Sequence, residues 1–175
     1  MFRKLLRTRH DYVLTLLRLA LGVTFFAHGA QKVLGWWGGA GFPGTMQMFT
    51  HGMQIPAPFA ALAIFAEFLG GIGLLFGLLT RVAAFGIGVD MIVAVFLVHL
   101  PNGFFMNWAR NQKGEGFEFH VLAIAIAATL VARGAGAWSL DRLFDRGFGA
   151  TSAPQRPKRD GVPQGLGGRD AMLPL

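Results

Sequence analysis

The sequence predicts an all-α fold: a four-helix bundle embedded in a membrane. Three observations carry that expectation. The 175-residue chain is 53% hydrophobic with mean hydropathy +0.48. Its apolar residues gather into four long blocks, Tyr12–Leu34, Ala57–Leu79, Val82–Leu100 and Phe117–Val131. Only 14% of residues are charged, and most of these lie between or outside the blocks. A bilayer crossing needs roughly 20 apolar residues at 1.5 Å each. Three blocks meet that length, and the fourth is expected to run on through Arg133 to Ala137. The length leaves room for one bundle over 1–146 and a tail over 147–175, not for two domains.

The first block follows a basic flank, Arg3, Lys4, Arg7 and Arg9. A basic stretch before an apolar run resembles a signal peptide. This run is too long, contains Arg18 and lacks a small-x-small cleavage site, so it reads as a retained first helix. The loop that follows, GWWGGAGFPGTMQMFTHGMQIPAP, carries Trp36 and Trp37 at interfacial positions. Its glycines and Pro43 are expected to break any helix, with a short amphipathic turn over Met46 to Met53. Pro56 and Pro58 suit the start of the second helix, where a missing N–H costs nothing. Within that helix Gly73 and Gly77 form a GxxxG, with Gly70 one turn earlier. Small residues let membrane helices approach closely. After Gly147 the chain is rich in Pro, Gly and charge without periodicity, the composition of a disordered tail.

The basic residues also set the orientation. The loop from Gly35 to Pro56 has no Lys or Arg, whereas both termini are rich in them. Positive residues stay on the cytoplasmic side. Both termini are therefore expected inside, with Arg110 and Lys113 of the third loop outvoted by the flanks. The net charge of +7 sits at the two ends of the bundle, where it serves orientation and contact with anionic lipid headgroups. That distribution argues against nucleic acid as a partner. The chain has no cysteine, which removes disulfides, thiolate ligands and a CxxC relay. In any redox role the electrons are carried by another group.

Ionisable residues in apolar helices mark function, because a charge in hydrocarbon costs on the order of 3 kcal/mol. Four helices place such residues in the outer half: His28 and Lys32, then Glu67, then His99, then Glu118 and His120. Glu67, near mid-membrane, is the first candidate for proton exchange, with His28 beside it. Lys32, His99, Glu118 and His120 are candidates for binding substrate. No two of the histidines and carboxylates have i, i+3 or i+4 spacing, so no metal site is expected. Arg18 and Asp90 lie nearer the inner face at similar depth, which suggests a structural ion pair between helices 1 and 3.

The segments LRLALGVTFFAHGAQKVLG, AEFLGGIGLLFGLLTRVAA, HLPNGFF, GFEFHVLAIAIA and GAGAWSLDRL occur in order over about residues 14 to 143. Together they resemble the DoxX family. In the last of them Ser139 can cap a short helix bearing Asp141. The resemblance implies a bacterial inner-membrane protein of four helices with a link to membrane oxidoreductases. Related DoxD-type proteins belong to a thiosulfate:quinone oxidoreductase, and other relatives are associated with oxidative or thiol stress. On that reading quinone is the candidate cofactor and a redox protein the candidate partner. The alternative is a membrane scaffold or small-solute carrier without catalysis.

Overall fold

The computed structural model describes residues 6, 8 and 10–150, the last five as backbone only. It is helical, with no strand among the described residues. Four long helices form the bundle: α1 (Tyr12–Leu34), α3 (Ala57–Phe76), α4 (Thr80–Ala94) and α5 (Glu118–Arg133). A short α2 (Gly41–Gln47) lies between the first two, and α6 (Leu140–Ala150) follows the last. Beyond Ala94, α4 continues through a wider, π-type turn (Val95–His99) and a 3₁₀ turn (Leu100–Asn102). The expected tail lies outside the described residues from 151 onward, and 147–150 belong to α6.

Among the described residues, three helices are long and apolar enough to cross a membrane: Tyr12–Leu34, Ala57–Phe76 and Thr80–Asn102. The fourth, α5, has 16 residues, about 24 Å at 1.5 Å each. Its expected extension to Ala137 does not form. Gly134 adopts φ 88, which stops the helix, and Ala137 donates its N–H to Asp11 O at 3.0 Å. The chain thus folds back onto the start of α1.

The helices pack around the bundle in the order α1, α3, α4, α5, leaving α1 and α4 on a diagonal. Leu21, Phe25, Leu74, Ile87, Met91 and Leu130 fill the centre. The outward faces carry Leu16, Val23, Leu69, Phe76, Phe96 and Leu122, all exposed as a lipid-facing surface requires. The α1–α3 contact is the closest. A Cβ on Gly29 would stand 2.4 Å from Phe68 Cα, and one on Gly71 2.4 Å from Phe26 N. The expected GxxxG works differently. Gly70 and Gly73 face α4, toward Ile87 and Ala83, while Gly77 ends α3 at φ 65.

One end of the bundle gathers the start of α1, the α3–α4 turn and α6. Here polar side chains satisfy helix ends that apolar surroundings would leave unpaired. Asp11 accepts from Val13 N at 2.8 Å. Arg18, 1% exposed, donates to Leu74 O, to Leu75 O at 2.8 Å, to Ala135 O at 3.0 Å and to Trp138 O at 3.1 Å. Arg81 does the same for the last carbonyls of α5, Val131 O and Ala132 O. Asp141 accepts from Leu79 N at 2.7 Å and Thr80 N at 2.9 Å, capping α4 from a distance. Ser139 caps α6 as expected, accepting from Arg142 N at 3.3 Å.

These contacts correct the expected Arg18–Asp90 pair. Arg18 is spent on carbonyls, and among the described residues it makes no ion pair with Asp90. Asp90 stands ten residues into α4, about 15 Å, against six residues and about 9 Å for Arg18 in α1. Their helices are also diagonal rather than adjacent.

Candidate functional site

The opposite end of the bundle holds the two longer connections. The first contains a correction: α2 begins at Gly41, inside the stretch of glycines expected to prevent it. Pro43 falls in its first turn, where its fixed φ helps rather than hinders. A π-type turn, Met48–Gly52, continues it and turns Phe49 inward. The second connection closes through Phe117 N to Gly103 O at 3.2 Å and Glu118 N to Phe104 O at 2.8 Å.

Beneath these connections lies a cavity of about 980 Å³. Its wall is mostly apolar, but six ionisable side chains from all four long helical segments line it: His28, Lys32, Glu67, Asp90, His99 and His120. A pocket of that size and character can enclose a small organic molecule.

The polar groups fall into two sets. In the first, Lys32 Nζ forms an ion pair with Glu67 Oε2. The close approach of Gly29 to Phe68 makes this possible: Lys32 is one turn beyond Gly29, and Glu67 adjoins Phe68. Asp90 reaches the same place from α4, close enough to interact electrostatically with Glu67 and Lys32. The set thus brings one amine and two carboxyl groups together in an apolar bundle.

In the second set, His99 and His120 lie with ring centroids 4.0 Å apart. The π-type turn at Val95–His99 offsets the helix and brings His99 to its partner, a device frequent at functional sites. His99 Nδ1 donates to Glu115 O at 2.8 Å. His120 is 6% exposed, and among the described residues its Nδ1 has no hydrogen-bond partner. A buried polar atom without a partner is an opening for a ligand. His28 stands between the sets, near Phe119 at 6.5 Å between centroids, and is exposed to the cavity.

Of the residues expected from sequence, Glu67, His28, Lys32, His99 and His120 converge on the cavity. Glu118 does not line it. Its Oε1 accepts from Trp108 Nε1 at 3.3 Å, outside the cavity wall. Two residues apart on a helix, Glu118 and His120 point in different directions, and only His120 turns inward. Asp90, Gln54 and Glu115 are additional lining residues. As the sole acidic residue of its span, Asp90 carried a usable signal, which the supposed pairing with Arg18 diverted. Among the described residues no group of three or more His, Asp or Glu is arranged to hold a metal ion.

The DoxX family pattern matches residues 13–100. The chain is 31% identical over 129 residues to the inner membrane protein YqjF of Escherichia coli, covering 74% of this chain and 89% of that one. It is 32% identical over 136 residues to an uncharacterized protein of Haemophilus influenzae, covering 76% and 91%. It is 33% identical over 92 residues to a Bacillus subtilis protein named "Putative oxidoreductase CatD", covering 53% and 63%. No solved structure matches the chain. The apolar spans, the family pattern over half the chain and the two near-full-length relatives agree: this protein belongs to the DoxX family and is a multi-pass protein of the bacterial inner membrane.

Proposed function

We propose that this chain is a membrane subunit of quinone-linked redox chemistry, with a quinone headgroup held in the cavity between the long helices. One observation carries the reading: six ionisable side chains from separate helices converge on one cavity within an otherwise apolar bundle. The oxidoreductase name of the Bacillus relative supports it. A bound quinone supplies a two-electron, two-proton carrier, and the electrons come from a partner redox protein.

The residues present suit such a headgroup. Glu67 and Asp90 exchange protons with the headgroup, and Lys32 is the counterion of Glu67 in its ionised form. His28 faces the cavity with a ring nitrogen to offer a quinone oxygen. His120 presents a second ring nitrogen, and with His99 it lines the path from the headgroup toward the loop end. In the proposed orientation both termini are cytoplasmic, so that path leads to the periplasm. The test is quinone binding by the purified chain and its Glu67→Gln/His28→Ala double variant. Loss of binding in the double variant supports the reading, and unchanged binding overturns it.

A further inference from the structure

The cavity has an apolar side that headgroup binding leaves unexplained. Its ionisable residues face the bundle interior, whereas the wall between α3 and α4 is hydrocarbon: Phe59 and Leu62 on one helix, Phe85, Val89, Val93 and Leu97 on the other. All six are exposed, and they stand on helices long and apolar enough to cross a membrane. The two helices touch where small residues permit it. Gly70 meets Ile87, Gly73 meets the α3–α4 turn and Ala83, and a Cβ on Gly86 would stand 3.7 Å from Ala66. Toward the loop end the two helices present Phe59 and Leu62 against Val93 and Leu97, which line the cavity and are exposed. Along α4 the lining runs from Val82 to His99, about 26 Å of helix.

We infer that the crevice between α3 and α4 is a lateral portal, which admits a membrane-dissolved, single-tailed quinone from the bilayer. Its head passes to Lys32, Glu67 and Asp90, and its hydrocarbon tail stays between Phe59 and Leu62 of α3 and Val93 and Leu97 of the facing span. The occupant follows from the lining. A wholly polar solute has no use for an apolar slot of this length, and a wholly apolar one would leave the carboxyls and histidines unmatched. An amphiphile with one polar end satisfies both. The inference rests on the headgroup reading above and adds the direction of access and the place of the tail.

The test uses the full chain in phosphatidylcholine–phosphatidylglycerol nanodiscs and two probes. One is a decyl-benzoquinone with a diazirine at the far end of its chain. The other is the tail-less parent benzoquinone, followed by equilibrium dialysis. Photolabel is expected on peptides within 57–69 and 82–98, suppressed by excess unlabelled decyl compound. Ala66→Trp, which narrows the crevice, is expected to cut that labelling about tenfold while the dialysis affinity of the tail-less compound changes little. Saturable labelling confined to other surfaces, with the tail-less compound still bound through Glu67, overturns the portal and leaves the headgroup reading standing. Labelling in the crevice without binding of the tail-less compound upholds the portal and removes quinone as the head. Unsaturable labelling with no dialysis binding overturns both. The map on the unsubstituted chain decides the question even if Ala66→Trp fails to fold.

Discussion

Lys32, on the last turn of α1, is ion-paired with Glu67 at the middle of α3, across the closest helix–helix contact in the bundle. The carboxylate is 8% exposed and the ammonium 23%. Removing one member leaves the other charge buried without its counterion, a situation that costs about 3 kcal/mol where burial is complete. Lys32→Met is expected to lower stability by roughly 2 kcal/mol, given its partial exposure. Lys32→Met combined with Glu67→Gln is expected to recover most of the loss. Thermal unfolding in detergent measures both; additive losses would show that the two side chains are independent.

The approach that permits this pair depends on Gly29. A methyl there would overlap the Phe68 backbone, and overpacking costs 1–3 kcal/mol. Gly29→Ala is expected to destabilise by about 2 kcal/mol. Gly86→Ala meets only ordinary contact at Ala66 and is expected to be neutral or stabilising by up to about 1 kcal/mol, as in any helix interior. The same unfolding measurement compares the two, and equal effects would contradict the packing described.

Arg18 and Asp141 hold the opposite end together through backbone groups. Arg18→Leu abandons carbonyls of α3 and of the chain after α5, with an expected loss on the order of 3 kcal/mol. Asp141→Ala removes the remote cap of α4, with an expected loss of about 1–2 kcal/mol. A double-mutant cycle between Arg18→Leu and Asp90→Asn is expected to give a coupling below about 0.5 kcal/mol. A larger coupling would restore the ion pair that the structure replaces.

Orientation is tested by labelling. Because the chain has no native cysteine, Thr50→Cys and Ser152→Cys each introduce a unique thiol. A membrane-impermeant maleimide added to intact cells is expected to modify Thr50→Cys and spare Ser152→Cys until the membrane is opened. The reverse pattern would invert the topology.

The sequence made the helices legible because apolar length is a property of each segment alone. Tyr12–Leu34 matches α1 at both ends, and the second helix starts at Ala57 as read. It made most of the site legible for the same reason, since a His or Glu inside such a segment has few places to go. Relations between helices were less legible. Depth counted from Val82 sets Asp90 level with Arg18, but α4 begins at Thr80 and lies diagonal to α1. Glu118 and His120 are both polar at one helix start, and only the helical phase decides that His120 faces inward. The glycines of α3 look like one packing motif in sequence, yet they serve two neighbours and a turn. Pro43 and its glycines read as breakers because the first turn of a helix tolerates what its interior does not.

The most direct test of the account is native mass spectrometry of the protein gently extracted with its own lipids. The account predicts a stoichiometric quinone on the wild-type chain and its loss from the Glu67→Gln/His28→Ala double variant. A wild-type chain that carries no quinone, or a double variant that keeps it, would contradict the account.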